Sequence, residues 1–581
     1  MAAAQPKQQS GDGLSDKQRY LKRKSALWAE RSTWLSDWQD LADYVLPTSG
    51  RFFASDANKG AKVRKSKNVY DSTSKRGLNV LAAGLMAGMT SPARPWFRLS
   101  TGDAKLNANH NVKLWLSEVE ELMREVFAQS NVYRSLHQVY TELGAFGTGC
   151  MVMLEDFESA IHCYPLTIGE YALATDHRGQ VNTIMREFNM TVGQLIEQFG
   201  EDKCSLAVRQ HASRGNYDQW IPVHHVIEPR TKRDPKKKDA LNMKFKSVYY
   251  EIGGDQNALL GESGFKNFNC LAPRWLVTGN DVYGTGPGHD ALPDIRQLQH
   301  GQLRKQQAID YQVNPPLQVP SSLKEAGVNR LPGGVQYVDS VGGDNSVKTM
   351  FEVRLDLSAL REDILDVRER IKGHFYEDLF LMLANDTRSG VTATEVAERH
   401  EEKLLMLGPV LERLQTELLD PLIDFTFERL AAARTSNGEP VLPPPPQEMQ
   451  GLALNVEYVS TLAQAQRAIG LQSIDRLVAT VGAISSAKQD PGVWDNISVD
   501  QIISQYADGL GTSPKLILGE DQVAALRQAR QAQQQQAQQL AAAESMSKSA
   551  ANVSALDPNQ MQDIGNMFSG YGGPSAAEIG A

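Results

Sequence analysis

The sequence predicts an α+β fold that is mainly α-helical, and three observations carry that expectation. Apolar residues recur at helical spacing from Leu21 to Ala145. Between Cys150 and Ile252 the texture changes to short β-prone runs joined by turns. From Leu292 the helical period returns, and one segment, from Thr392 through Leu430, is longer than a globular domain needs for itself. A helix of that length suits a part that reaches across a ring or tube, so it points to assembly rather than chemistry.

The elements follow in order. Leu21, Leu27, Trp28, Trp34, Leu35, Trp38, Leu41 and Val45 mark one helix from Asp16 to Leu46, stopped by Pro47. Asp71-Ser72-Thr73 can cap a second helix through Met89, with Leu78, Leu81, Leu85 and Met89 on one face. Helices from Asn109 to Ala128 and Val132 to Ala145 come next. Strands are expected at Cys150–Leu154, Ile161–Pro165, Tyr171–Ala174, Val181–Phe188, Val223–Pro229 and Ser247–Ile252, interrupted by one helix, Thr191–Phe199. A helix from Leu292 to Tyr311 ends at Asn314-Pro315-Pro316, and residues 317–352 read as a small β-containing excursion. Leu360, Ile364, Val367, Ile371, Phe375 and Leu379 make the stripe of a helix from Leu357 to Leu383, broken by Asn385-Asp386-Thr387-Arg388-Ser389-Gly390. The long helix carries Leu404, Leu407, Leu411, Leu414, Leu418, Leu422 and Phe425 as a continuous seam, and Gly408-Pro409 should kink it. After the stiff Pro443–Pro446 linker come a strand, Leu452–Val459, further helices, and a Gln/Ala-rich stretch from Gln528 to Ala543 with high helix propensity. The polar, small-residue C-terminus is expected to be disordered.

Composition narrows the function. A chain of 581 residues exceeds what one core supports, so about two to four subdomains are expected. Its 41% hydrophobic and 22% charged content is ordinary for globular proteins. A net charge of −9 argues against a protein that coats nucleic acid, but does not exclude a passage through which DNA slides without sticking. Cys150, Cys163, Cys204 and Cys270 form no CxxC pair and read as free buried thiols in a reducing cytosol. The stretch Met1–Gly13 lacks a signal-peptide pattern, and the apolar run Gly77–Thr90 is too short to span a bilayer.

The motifs of chemistry are missing from the sequence. There is no Walker A lysine loop, GxSxG elbow, HExxH or EF-hand pattern, so no catalytic residue, cofactor or metal is expected. Gly284-Thr285-Gly286-Pro287-Gly288 resembles a phosphate cradle, but Pro287 removes a donor and no basic residue follows, so it reads as a structural loop. His224 and His225 sit in a strand and point to opposite faces, so they cannot share a metal. His110, His137, His162 and His374 have no partners at useful spacing. Glu362-Asp363 and Glu401-Glu402, beside Arg361, Arg368, Arg399 and Lys403, read as solvated helix faces. Lys232-Arg233-Asp234-Pro235-Lys236-Lys237-Lys238 is the strongest basic cluster, and without interleaved aromatics it reads as a surface loop. Trp34, Trp38, Trp96 and Trp115 are expected to fill a core or a subunit interface.

Several segments occur in a telling order. They are Trp38 through Tyr44 with Pro47 and Gly50-Arg51-Phe52, then Tyr70-Asp71-Ser72-Thr73, Leu81-Ala82-Ala83-Gly84-Leu85 and Ser91-Pro92 through Trp96-Phe97. Next are Tyr283-Gly284, Gly286-Pro287, Ala291-Leu292-Pro293-Asp294-Ile295, Asn314-Pro315-Pro316 and Leu331-Pro332-Gly333-Gly334. Last come Thr392-Ala393-Thr394-Glu395-Val396, Leu407-Gly408-Pro409-Val410, Glu417-Leu418-Leu419 with Pro421-Leu422, and Tyr458-Val459-Ser460 leading to Leu462-Ala463 and Ala465-Gln466. Together they resemble the head-to-tail connecting, or portal, proteins of short-tailed bacteriophages, over roughly residues 20 to 510.

The resemblance implies a homo-oligomeric ring, usually of twelve subunits, at one capsid vertex of the virion. It implies an axial channel for double-stranded DNA, docking first of the terminase large subunit and then of a tail adaptor or tail tube protein, and contacts with major capsid and scaffolding proteins during assembly in the host cytoplasm. It implies a portal fold of wing, stem, clip and crown. Residues 1–15 would be a disordered start and 16–291 the wing. Residues 292–313 and 353–383 would be stem helices, enclosing a clip, 314–352, with Asn314, Pro315, Pro316, Leu331, Pro332, Gly333 and Gly334 at the docking face. Residues 384–391 would be the channel loop (Asn385, Asp386, Thr387, Arg388, Ser389 and Gly390). A long wing helix kinked at Gly408 and Pro409 would span 392–433, a linker and wing strand 434–462, crown helices 463–545 and a disordered tail 546–581. Two other readings remain: a nucleic-acid-processing enzyme, which needs clustered carboxylates for two metals, and another structural protein of the particle, such as a scaffold or tail component.

Overall fold

The computed structural model describes residues 15–554 apart from 48, 53–68, 104–105, 108, 238, 255–257, 320, 322–323, 325–346, 350–357, 385–406, 435–437, 450–453, 459–473, 485–497, 511–515, 517 and 519. The chain divides into two units, one of Met1–Gly102 and Trp115–Ala479 and one of Asp103–Leu114 and Thr480–Ala581.

The larger unit opens with α1 (Asp16–Arg31), whose first turn is closed reciprocally. Ser15 Oγ accepts from the Gln18 N–H at 3.3 Å and Gln18 Oε1 accepts from the Ser15 N–H at 3.1 Å. The single helix expected from Asp16 to Leu46 is instead broken by a 3₁₀ turn, Ser32–Trp34, before α2 (Leu35–Tyr44). The break follows buried Arg31, which donates to the carbonyls of Gly169 at 2.8 Å and Tyr171 at 2.7 Å, a constraint that local periodicity does not carry. Next come α3 (Thr73–Met89), β1 (Phe97–Thr101), α4 (His110–Gln129) and α5 (Val132–Phe146). Strand β1 was not expected. It is made by pairing with Leu454–Tyr458, in a register that sets Phe97 opposite Tyr458. Trp38, Trp96 and Trp115 are buried and Trp34, half-buried, stacks on Trp38, so the tryptophans build core.

The middle region holds β2 (Cys150–Asp156), β3 (Ala160–Leu166), β4 (Tyr171–Thr175), β5 (Val181–Thr191), α6 (Val192–Phe199), α7 (Leu206–Ser213), β6 (Trp220–Pro229), β7 (Phe245–Glu251), β8 (Gly261–Phe265) and β9 (Cys270–Leu271). Helix α7 and strands β8 and β9 are additions to the expected pattern. Each is short, and β8 carries two glycines, so hydrophobic periodicity had little to register. The strands form a five-stranded antiparallel sheet, β4-β5-β6-β7-β8, and a three-stranded one, β3-β2-β9. Strand alternation gives the larger sheet two apolar faces. Met185, Val226 and Val248 meet Tyr20 and Leu27 of α1, while Met190 and Val223 meet Val192, Leu195 and Val208 of α6 and α7. His224 and His225 point to opposite faces of β6. The first lies 3.4 Å from the Glu187 carboxylate, and the second stacks on Tyr249 with ring centroids 3.9 Å apart. All four cysteines are buried and free of disulfides.

The chain continues as α8 (Pro287–Val313), β10 (Leu317–Gln318), β11 (Lys348–Thr349), α9 (Ser358–His374) and α10 (Glu377–Ala384). Pro287 occupies the first turn of α8, so that helix starts five residues before the expected Leu292. The glycine-rich loop before it is structural, as expected. A Cβ at Gly284 would sit 2.6 Å from the Gly147 carbonyl, and Gly147 ends α5 with φ +68°. In the smaller unit the described helices include Val499–Leu510 and Glu520–Ser554. The second contains the Gln/Ala-rich stretch and runs past residue 545, so residues 546–554, expected in the disordered tail, are helical.

Candidate functional site

Helices α8 and α9 pack as an antiparallel hairpin. His374 meets Asp294 at 3.2 Å and Arg370 meets Gln297 at 3.3 Å, and a Cβ on Gly301 would lie 3.7 Å from Ile364, so rising numbers on one helix face falling numbers on the other. The excursion between the helices is closed by antiparallel pairing of Leu317 with Thr349 and Gln318 with Lys348. The near end of α8 is core, with Ala291, Leu292, Ile295 and Leu298 buried. Toward its far end Ile309, Tyr311 and Val313 are 38%, 52% and 79% exposed. Charge along the pair is balanced. Helix α8 carries Asp290, Asp294 and Asp310 against Arg296, Arg304 and Lys305.

The motif Tyr70-Asp71-Ser72-Thr73 fastens both helices. Asp71 Oδ2 accepts from Arg368 Nη2 at 2.6 Å and Nε at 3.0 Å on α9, and from Gln302 Nε2 at 3.1 Å on α8. Its other oxygen accepts from the Thr73 N–H at 2.8 Å and hydroxyl at 2.6 Å, opening α3. Gln299 completes the joint: its carbonyl oxygen accepts from the N–H groups of Tyr70 and Asp71, and its amide donates to the Asp71 carbonyl at 2.9 Å. Burial alone would raise the Asp71 carboxyl, but the bonds from Thr73 and Arg368 outweigh it and hold it below its ordinary value.

Helix α3 receives the chain after the hairpin in a glycine notch. The helix expected to run to Leu383 breaks after His374, where Tyr376 takes φ +55°. The break turns Phe375 onto Gly77 and Phe380 onto Gly84, one heptad apart on α3. A Cβ on Gly77 would lie 2.9 Å from the Phe375 ring, and one on Gly84 would overlap the Phe380 ring.

The long helix is helical throughout its described residues, 407–432. The expected kink at Gly408 and Pro409 lies at the edge of these, with the preceding turn outside the described residues. Within them the ladder changes at Gln415–Leu419, which is a π turn. Pro421, two residues on, cannot donate to the ladder and crowds the Glu417 carbonyl, and a widened turn relieves that crowding. The same turn presents Glu417 to buried Arg274, which donates from Nη2 at 2.5 Å, Nε at 3.3 Å and its backbone N–H at 3.0 Å. Nothing in the local sequence around Arg274 signals this pair, because its partner is 143 positions away.

Of the residues expected to act, Asn314 caps the end of α8, its N–H donating to the Asp310 carbonyl at 2.8 Å, and Pro315 and Pro316 follow it. Leu331, Pro332, Gly333 and Gly334, and the loop Asn385 to Gly390, lie outside the described residues. His374, read as unpartnered, is bonded to Asp294. Among the described residues no group of three or more His, Cys, Asp or Glu side chains is placed to hold a metal, and no helix is long and apolar enough to cross a membrane.

A mixed α+β chain built around an anchored helical hairpin is thus the class that the geometry defines. The chain belongs to the bacteriophage head to tail connecting protein family, whose model matches residues 17–518. It is 52% identical over 554 residues to the probable portal protein of Bordetella phage BPP-1, covering 95% of this chain and 98% of that one. It is 41% identical over 556 residues to the portal protein of Salmonella phage epsilon15, again covering 95% and 98%. Among solved structures, a chain in the neck of an empty GTA particle computed with C6 symmetry aligns with a TM-score of 0.34 at 11% identity, covering 74% of this chain and 93% of that one. A chain in the virion of a native gene transfer agent particle aligns with a TM-score of 0.30 at 10% identity, covering 69% and 95%.

Proposed function

We propose that the chain assembles as a homo-oligomeric ring, usually of twelve subunits, at one capsid vertex, and that double-stranded DNA enters and leaves the head through its axis. In this reading α8 and α9 are the stem. The segment between them is the clip, which docks the terminase large subunit and then the tail adaptor. The Asn385 to Val391 loop borders the channel, the helix through 407–432 ties stem to wing, and the helices after Ala463 form the crown. Scaffolding and major capsid proteins meet the ring during assembly.

The observation that carries the reading is the hairpin, fixed at its base by Asp71 and exposing Ile309 and Val313 toward its far end. Apolar side chains left open at a helix end are what a neighbouring subunit covers. Balanced charge on α8 also suits a channel, since each phosphate neutralised by Lys or Arg adds affinity that slows movement. Arg388 is the cation of the proposed channel loop and touches phosphates in passing, with Asp386 beside it at the lumen.

Negative-stain images of the purified chain test the ring. A closed ring with a central hole wide enough for duplex DNA is expected. A monomer with Mg²⁺-dependent DNA cleavage would overturn the reading in favour of an enzyme. Arg388→Ala tests the loop: particles that assemble yet package or retain less DNA are expected, and wild-type packaging and retention would remove that role.

A further inference from the structure

A cavity of about 830 Å³ opens beside α1 and the edges of β3 and β5, and the hairpin plays no part in it. Three arginines line it, and two of them, Arg31 and Arg186, form no ion pair among the described residues. Arg31 is 4% exposed. Its Nη1 donates to two backbone carbonyls, its guanidinium lies 4.4 Å from the Trp28 ring, and its Nε is buried without a hydrogen-bond partner. Arg186 lies 4.6 Å from the Phe188 ring, and its Nε donates to His225 Nδ1 at 2.9 Å. That bond fixes the tautomer, so His225 Nε2 donates to Ser247 Oγ at 2.8 Å, and burial beside Arg186 keeps the imidazole neutral. Both guanidinium groups are therefore held in place by neutral acceptors and aromatic faces, with no carboxylate at ion-pair distance among the described residues. Such groups are preorganised for an anion, because a fixed fork loses little freedom when it forms its bonds.

We propose that this cavity docks an acidic peptide segment, Arg31 and Arg186 taking a carboxylate while Trp28, Tyr164 and Phe188 take the apolar side chain beside it. The lining selects a carboxylate over a run of phosphates. Glu170, Glu187 and Glu197 share the wall with three arginines, so it has no positive excess to hold a nucleic-acid backbone. Glu187 is already paired with Lys24 at 2.7 Å, and Glu170 lies 3.8 Å from Arg51, which leaves Arg31 and Arg186 as the lining cations without an ion pair among the described residues. The volume suits a few side chains rather than a folded domain.

The test uses the full chain on an array of short synthetic peptides that place Glu or Asp beside Phe or Leu, each matched to its Gln or Asn counterpart. Acidic members are expected to be retained about tenfold more strongly than their amide partners. Arg186→Gln should abolish that preference, and Trp28→Ala should weaken retention. Arg31→Gln is avoided because Arg31 also holds two carbonyls. The proposal falls if no acidic peptide is retained over its amide partner, if Arg186→Gln leaves the pattern unchanged, or if a single-stranded DNA oligonucleotide displaces the peptides. Ring formation by Arg186→Gln, imaged in parallel, is expected to be intact, so failure here is separable from failure of the ring.

Discussion

Asp71 and Arg368 stand 297 positions apart and meet through two charge-assisted hydrogen bonds, 2.6 and 3.0 Å long, at the base of the helical hairpin. Asp71 is buried and also opens α3, so one carboxylate fixes three helices together. Asp71→Ala is expected to lower stability by about 1–3 kcal/mol, the half-exposed Arg368 side limiting the loss. The sign with pH follows from a carboxyl held below its ordinary value. Its contribution is full above the unfolded pKa and is lost as pH falls through the lower folded one. Thermal unfolding between neutral and acid pH should therefore show a shallower acid decline for Asp71→Asn than for wild type. An equally steep decline in the variant would show that the acid sensitivity lies elsewhere.

The notch on α3 makes a second prediction. Gly84→Ala puts a methyl group into the Phe380 ring and should cost about 1–3 kcal/mol. Phe380→Leu in the same chain should recover part of that loss. A double-mutant cycle measures the coupling, and strictly additive costs would mean that the ring yields freely.

Arg274 and Glu417 make a third. Arg274 is buried, and removing its carboxylate partner leaves a charge without compensation. Glu417→Ala should cost about 2–4 kcal/mol and speed protease cleavage within residues 407–432. Arg274→Lys should not restore stability, because an ammonium cannot reproduce the forked bonds.

Glu142 reverses the usual dependence on pH. It is buried beside Thr167 and the Ile168 N–H, and burial pushes its carboxyl up to about 7. The folded chain then holds a proton that the unfolded chain releases near pH 4.5, so this group costs stability as pH rises from there to about 7. Glu142→Gln is expected to flatten that part of the profile and to be more stable at neutral pH by up to about 3 kcal/mol, read by thermal unfolding. A decline in Glu142→Gln that matches wild type would assign the effect to another group.

What could be read from the sequence follows how locally each feature is encoded. Helix α3 was legible because Asp71-Ser72-Thr73 and the Leu78–Leu81–Leu85 stripe lie within a few turns of one another. The opposed faces of His224 and His225 followed from strand alternation alone. Strand β1 was not legible, since five residues take extended form only by pairing with Leu454–Tyr458. The break at Tyr376 also escaped notice, because the stripe from Leu360 to Leu379 runs through it without a fault. The bend goes with the seating of Phe375 and Phe380 over the α3 glycines, a contact between distant parts of the chain.

The sequence by itself determined the order of helical and β regions and, through segments shared with a family, the class of particle part to which the chain belongs. Periodicity and composition act over a few residues, and family motifs are strings, so both survive without coordinates. Tertiary structure alone decided which residues hold the hairpin. Asp71, Gln299 and Arg368 are unremarkable until the fold brings them within hydrogen-bond reach. It also decided that the long helix widens at Glu417 to meet Arg274, and that Arg31 and Arg186 border one cavity with no ion pair among the described residues. Bonds between groups hundreds of positions apart depend on distance and burial, and neither is written in the local sequence.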